Sequence, residues 1–256
     1  MTPVLRVRNV GWCVATVPVL EHVSIDVAPG EFVAVMGRNG AGKSTLLDIV
    51  AGLRAPTEGA VTLWDRALDD LTAIERARLM AHLPQNLRAD LSMRAEALVL
   101  MGRYAHADRW FESEEDRAIA EEAMRRCECL EFRRRTLATL SGGERQRAFL
   151  AACLAQRAPL LLLDEPATFL DVDQQLQCFN VLRVEADRGA ACVAVTHDVN
   201  LALTFCTRLI VLAERGVARD LPTETALDDP AWLRAFSGRL LVEHGHGGSR
   251  PWVRYQ

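Results

Sequence analysis

Gly37-Arg38-Asn39-Gly40-Ala41-Gly42-Lys43-Ser44-Thr45 is the stretch on which the fold of this chain turns. It fills every position of G-x-x-x-x-G-K-[ST]. Residues 32–36, just before it, are continuously apolar, as in a strand covered on both faces, and from about Lys43 the chain reads as a helix. Glycines let the backbone N–H groups of residues 39–45 converge on a polyphosphate that a Cβ would obstruct. The helix N-terminus adds partial positive charge at the same point. Lys43 is then placed to reach the β and γ phosphates, and the Ser44 hydroxyl to ligate Mg2+. A plain glycine-rich turn before a helix is the alternative. The complete motif, in strand–loop–helix order, weighs against it.

Upstream of the loop, Leu5 and Val7 alternate with Arg6 and Arg8, and Val23, Ile25 and Val27 alternate with Ser24 and Asp26. Both segments read as half-buried strands with one wet face. Pro29-Gly30 makes a turn, and residues 59–64 read as a further strand. Residues 86–139 lack strand signals. Ser113-Glu114-Glu115-Asp116 opens a helix with a capping-box pattern, and Ile119, Ala120, Ala123, Met124 and Cys127 recur at helical spacing. Beyond them, short apolar runs at 160–163, 192–196 and 209–213 alternate with helical segments, which implies a parallel sheet wrapped by helices. Gly245-His246-Gly247-Gly248-Ser249 reads as a short flexible stretch.

Composition narrows the classes. The 256 residues are half hydrophobic and a quarter charged, an ordinary globular balance, with a net charge of -4. A weakly acidic chain has no long-range attraction for nucleic acid, so none is expected as a partner. The seven cysteines, Cys13, Cys127, Cys129, Cys153, Cys178, Cys192 and Cys206, form no C-x-x-C and sit mostly in apolar surroundings. Buried reduced thiols are the economical reading, with a lone C-x-C metal site at Cys127 and Cys129 as the lesser one. The N-terminus has no signal-peptide pattern, and no apolar run is long enough to span a bilayer. The chain is expected to be soluble on its own, with any membrane role reached through partner chains.

Two further stretches carry chemistry. Residues 160–163 run into Asp164-Glu165-Pro166, so a strand ends in two carboxylates at the sheet edge that also carries the glycine loop. Asp164 would hold Mg2+ through water, and Glu165 would polarise an attacking water. Leu140-Ser141-Gly142-Gly143-Glu144-Arg145-Gln146-Arg147 sets a Ser hydroxyl and two glycine amides at a helix start, an anion site. Ser141 and Glu144 also match a capping box, which does not compete with that role.

This last octapeptide resembles the LSGGQ-type signature of ABC ATPases, and the resemblance covers nearly the whole chain. It implies an α/β P-loop NTPase with a mainly parallel sheet flanked by helices, an N-terminal antiparallel β subdomain and an inserted helical subdomain. On that pattern residues 1–85 and 140–240 form the core with the β subdomain, 86–139 the helical subdomain and 241–256 a C-terminal tail. It implies ATP as substrate and a head-to-tail dimer. The γ-phosphate held by the loop at Gly37, Arg38, Asn39, Gly40, Ala41, Gly42, Lys43, Ser44 and Thr45 would meet Ser141, Gly142, Gly143 and Glu144 of a second copy. Pro84-Gln85 looks like the Q-loop, whose Gln85 would contact Mg2+ and the attacking water. Thr168-Phe169-Leu170-Asp171 resembles the D-loop, and Thr196-His197-Asp198 the switch histidine, which would contact the γ-phosphate.

Two departures stand out. Trp12 occupies the region where the family usually has a Tyr that stacks on adenine; an indole can stack as well, or the side chain can fill core. Pro166-Ala167-Thr168 replaces the usual Pro-Thr-(Ser/Ala). Met101-Gly102-Arg103-Tyr104-Ala105-His106 resembles a "GRxPH" stretch of ATPases that serve iron-siderophore, haem and cobalamin importers, and Ala155-Gln156 suits the same group. The partners so implied are two transmembrane permease subunits and, indirectly, a periplasmic or lipoprotein substrate-binding protein. The chain would then sit at the cytoplasmic face of the cell membrane. A soluble P-loop kinase is disfavoured by the signature, and a non-transport ABC protein by the single motif set and the lack of a heptad run.

Overall fold

In this computed structural model, which describes residues 2–87, 89–106, 113–228, 231–236, 240–243 and 252–255, the chain opens with two long antiparallel strands, β1 (Leu5–Val14) and β2 (Val17–Val27). Leu5, Val7 and Val10 point inward while Arg8 stays wet, the alternation that a one-sided sheet requires. Next comes β3 (Phe32–Gly37), buried at every residue. Its two faces serve two cores: Phe32, Ala34 and Met36 pack toward the helices of the second half of the chain, Val33 and Val35 toward the N-terminal strands. The unbroken apolar run is thus a strand with both sides covered.

Helix α1 (Lys43–Val50) follows the glycine loop and buries Leu46, Leu47, Ile49 and Val50 in the second of these cores. Strands β4 (Glu58–Leu63) and β5 (Arg66–Ala67) complete an antiparallel sheet in the order β2-β1-β4-β5. After α2 (Ala73–Leu79), the short strand β6 (Met80–Leu83) joins the central sheet. Helices α3 (Ala95–Met101), α4 (Glu114–Arg126) and α5 (Gly142–Ala155) pack on one another. The predicted capping box closes at the start of α4: the Ser113 hydroxyl accepts from the Asp116 N–H, and Asp116 accepts from the Ser113 N–H.

The remaining elements are β7 (Leu160–Asp164), α6 (Val172–Asp187), β8 (Ala191–Val195), α7 (Val199–Phe205), β9 (Arg208–Ala213), β10 (Gly216–Pro222), α8 (Ala231–Phe236), β11 (Leu240–Glu243) and β12 (Trp252–Tyr255). The central sheet runs β10-β9-β3-β8-β7-β6, parallel except for β10. The ends of the stretch read as a tail, β11 and β12, pair antiparallel. Asn200 of α7 holds β12 through both the carbonyl and the N–H of Val253, each at 3.0 Å. The predicted flexible stretch 245–249 lies outside the described residues. Among those residues no helix is long and apolar enough to cross a membrane.

The Gly102–His106 stretch clamps the helical insertion to the sheet. Arg103 pairs with Asp116 at 2.9 Å, both side chains largely buried, and also donates to the Ala155 carbonyl at 2.9 Å. A His106 ring nitrogen lies 2.8 Å from the Gln156 carbonyl, and the Gln156 amide donates to the carbonyl of Met80 at 2.8 Å. The motif and Ala155-Gln156, read separately in sequence, are two halves of one contact. Six of the seven cysteines are buried and all seven are free thiols. Burial pushes Cys129, Cys153 and Cys178 up to about 12 and Cys127 well above its usual value. Desolvation thus favours the neutral thiol in these apolar surroundings.

Candidate functional site

The parallel strands β3, β7 and β8 bring their carboxyl ends to one edge of the sheet. The glycine loop, Asp164-Glu165 and Thr196-His197 follow those ends. Two glycines in the loop are dictated by close approach as well as by φ. A Cβ on Gly37 (φ +151) would lie 2.5 Å from the Leu212 carbonyl oxygen, and one on Gly42 (φ +90) 2.5 Å from Leu20 Cδ2. Lys43 is buried, and its Nζ donates to the carbonyls of Gly37 at 2.9 Å and Arg38 at 3.1 Å. Burial lowers its pKa, while the carboxylates of Glu165 and Asp164 oppose that shift. The ammonium therefore sits curled into an anion cradle, satisfied by the loop's own carbonyls. Arg38, Asn39 and Gly40 are exposed; Ser44 and Thr45 are half-buried at the start of α1.

Asp164 is buried as the last residue of β7, and its Oδ1 has no hydrogen-bond partner. Burial is the largest influence and raises its pKa; a hydrogen bond with Ser44 pulls it back, and Glu165 and Asp48 push it further up. An orphaned carboxylate oxygen beside a Ser hydroxyl is a fitting place for a hard cation. Glu165 has φ +53, a left-handed backbone that residues with a Cβ adopt uncommonly. Its N–H donates to the Val195 carbonyl at 3.1 Å, its Oε1 lies 2.9 Å from His197 Nε2, and its Oε2 accepts from the Thr168 hydroxyl at 3.2 Å. The carboxylate is thus oriented from two sides.

The buried charge at Asp164 has a measurable consequence. A carboxyl whose pKa is raised by folding favours the fold at low pH, and that contribution is lost as pH rises through the raised value. Asp164→Asn removes the cost. The substituted protein should melt roughly 2–4 °C above the native chain at pH 8 without nucleotide, with the gap closing toward pH 4. Differential scanning calorimetry checks this, and a lower melting point at pH 8 would contradict it.

At the tip of α5, Ser141 accepts from the Glu144 N–H at 3.2 Å, and Glu144 accepts from the Ser141 N–H at 2.7 Å. Ser141 is exposed and lines a recess with Gly142, Gly143, Glu144 and Asp171. Asp171 also caps α6, accepting from the Gln174 N–H at 2.9 Å. Gly142 and Gly143 are glycines because Phe169 crosses the helix tip: a Cβ on Gly143 would lie 2.9 Å from the Phe169 carbonyl oxygen. Gln85 is exposed and lines a cleft of about 410 Å³ with Gly142, Arg145, Thr168 and Phe169.

The family model described as ABC transporter matches residues 20–168. The chain belongs to the ABC transporter family. It is 45% identical over 249 residues to the hemin import ATP-binding protein HmuV of Gloeobacter violaceus, covering 94% of this chain and 90% of that one. It is 39% identical over 226 residues to the cobalamin import ATP-binding protein BtuD of Halobacterium salinarum, covering 88% of this chain and 56% of that one. A dimeric ATP-binding cassette bound to ADP and Pi, 29% identical, superposes with a TM-score of 0.79 over 86% of this chain and 98% of that one.

In this ABC cassette the loop, Asp164, Glu165 and His197 share one sheet edge, and the signature residues line a recess with Asp171. Trp12 stands on β1 opposite Leu20 of β2, the residue that abuts Gly42, so the strand paired with it lies against the glycine loop. The indole is half-buried, and the Arg54 guanidinium lies over its ring at 4.2 Å. Sequence reading missed Arg54, Thr168 as a support of Glu165, and Gln146, which is buried and donates to the Pro166 carbonyl at 2.9 Å. The capping spacing at Ser141 was the one local signal in this region. The other contacts join residues far apart in sequence.

Proposed function

We propose that this chain is the ATP-hydrolysing subunit of an importer for haem or a related iron chelate or cobalamin, with each reaction site completed by a second copy. The observation that carries the hydrolytic reading is the Glu165 carboxylate held between His197 and Thr168, one residue beyond the unpartnered oxygen of Asp164. Ser44, Asp164 and Gln85 would hold Mg2+, which when bound neutralises charge on the phosphate oxygens. The loop amides of residues 37–45 and Lys43 bind the phosphates; Lys43 exchanges its contacts with the Gly37 and Arg38 carbonyls for phosphate oxygens. Trp12 stacks on the adenine. Glu165 orients the attacking water and accepts its proton, and His197 holds the γ-phosphate side. Ser141, Gly142, Gly143 and Glu144 of the second copy close the site over the γ-phosphate, with Asp171 beside them.

The relatives' names support haem or cobalamin as cargo, and so does the resemblance of the Gly102–His106 stretch to that of the group's ATPases, with Ala105 here where Pro is usual. No residue of this chain need touch the cargo. Two permease copies would carry it, fed by a periplasmic or lipoprotein binding protein, with this chain docked at the cytoplasmic face of the cell membrane. The test is to purify the tagged chain from its own cells with its permease, reconstitute the complex in liposomes, and measure ATP-dependent uptake of haem, cobalamin and a ferric siderophore. Uptake of haem in preference to the other two is the expected result. A complex that transports none of the three would overturn the cargo assignment.

A further inference from the structure

Few polar side chains are buried among the described residues, and three of them, Lys43, Asp164 and Thr196, belong to the phosphate end of the sheet. The fourth is Gln146, only 3% exposed, on α5. Its Nε2 donates to the Pro166 carbonyl at 2.9 Å and approaches the Glu165 carbonyl at 3.4 Å. The Pro166 carbonyl also accepts from the Cys178 thiol at 3.7 Å. Gln146 therefore holds two successive carbonyls, those of Glu165 and Pro166, where Glu165 adopts its left-handed φ. A non-glycine residue stays in that region only when its surroundings over-determine it. The donors to those carbonyls are part of what does so.

The same helix has a second hold on this turn. Its tip, Gly142-Gly143, lies against Phe169, four residues beyond Glu165. The turn 165–169 is thus gripped by α5 at the tip, through Phe169, and about one turn along, through Gln146. Helix α5 has 14 residues and is packed on α3 and α4, so a displacement of its tip is passed along its length. We propose that Gln146 is a positioning residue that couples the nucleotide held by the partner copy to this copy's own Glu165. When Ser141–Glu144 engage the partner's γ-phosphate, α5 is fixed in place. Through Gln146, that fixes the backbone from which the Glu165 carboxylate is aimed. Hydrolysis in each site then depends on occupancy of the other. The inference rests on the two-copy site proposed above.

Two substitutions test it, with steady-state ATP turnover as a function of ATP concentration and pH. Gln146→Met keeps the length and packing but has no donor. It should leave nucleotide affinity within about twofold, lower turnover about tenfold, and bring the Hill coefficient for ATP from above 1 to 1. Gln146→Glu places a carboxylate against two carbonyls. Burial raises the pKa of such a group, and once protonated its O–H can donate to Pro166. Its turnover relative to the native chain should therefore recover as pH falls from 8 to 6, a response that loss of packing alone would not give. Native turnover with an unchanged Hill coefficient in Gln146→Met would overturn the coupling, as would a pH-independent ratio in Gln146→Glu. The two-copy reading is checked separately by ATP-dependent dimerisation of Glu165→Gln. Dimers there with native cooperativity in Gln146→Met defeat only the coupling, and no dimers defeat both.

Discussion

Glu165→Gln should lower ATP turnover by 10²–10⁴-fold, the usual worth of a positioned general base, while leaving nucleotide binding intact. The amide keeps the size of the side chain and can still contact His197 and Thr168, which now hold the carboxylate at 2.9 and 3.2 Å. It cannot accept a proton from the attacking water. Nucleotide should therefore be trapped, and since in the proposed two-copy site the triphosphate joins the copies, the variant should become an ATP-dependent dimer. Single-turnover hydrolysis with size-exclusion chromatography reads both effects. Wild-type-like hydrolysis would remove Glu165 from its assigned role.

Ser141→Asp should be as damaging from the other side of the dimer. Asp caps a helix as well as Ser does, so the turn at Gly142 and the fold should survive. The native hydroxyl accepts from the Glu144 N–H at 3.2 Å, a bond that a carboxylate can make equally well. What changes is the charge presented to the partner. A carboxylate aimed at a γ-phosphate costs several kcal/mol, so turnover should fall on the order of 10²–10³-fold. ATP affinity of the isolated chain, measured by calorimetry, should hold, because the phosphate loop is untouched. Native turnover in this variant would mean that the signature face meets no nucleotide.

Much of this was legible in sequence because phosphate chemistry restricts residue type over short spans. The glycines at 37 and 42, the Lys43-Ser44 pair and the Asp164-Glu165 strand end each fall in a short motif with fixed spacing, and the helix order around them follows from apolar periodicity. Elements whose identity depends on their neighbours were harder. Strand β6 is four residues long and includes His82, so it carries no pattern of its own. Strand β10 has mostly half-exposed and exposed residues, as an edge strand does, and β2 begins at Val17, where the first residues are half-exposed or exposed. The Gly102–His106 stretch was legible as kinship but not as a clamp. Its partners, Asp116 and residues 155–156, are brought to it only by the packing of α3 and α4 on α5. Gln146 and Arg54 were silent for a similar reason. Neither residue type is unusual where it stands, and their contacts are with Pro166 and Trp12, 20 and 42 positions away.

The central claim is that one site is assembled from two copies, and mixing two inactive variants tests it most directly. Ser141→Asp retains Glu165, and Glu165→Gln retains Ser141, so a dimer of one with the other has one composite site in which every group is native. With random pairing of a two-fold dimer, an equimolar mixture should regain turnover, up to about a quarter of the native value where the two sites act independently and about tenfold less where Gln146 couples them, because the copy that keeps Glu165 carries the altered helix tip. Each variant alone should stay near zero. A mixture no more active than its two components, although the two variants co-purify as a dimer in ATP, would mean that the glycine loop and the Ser141 helix tip of different copies do not share a nucleotide.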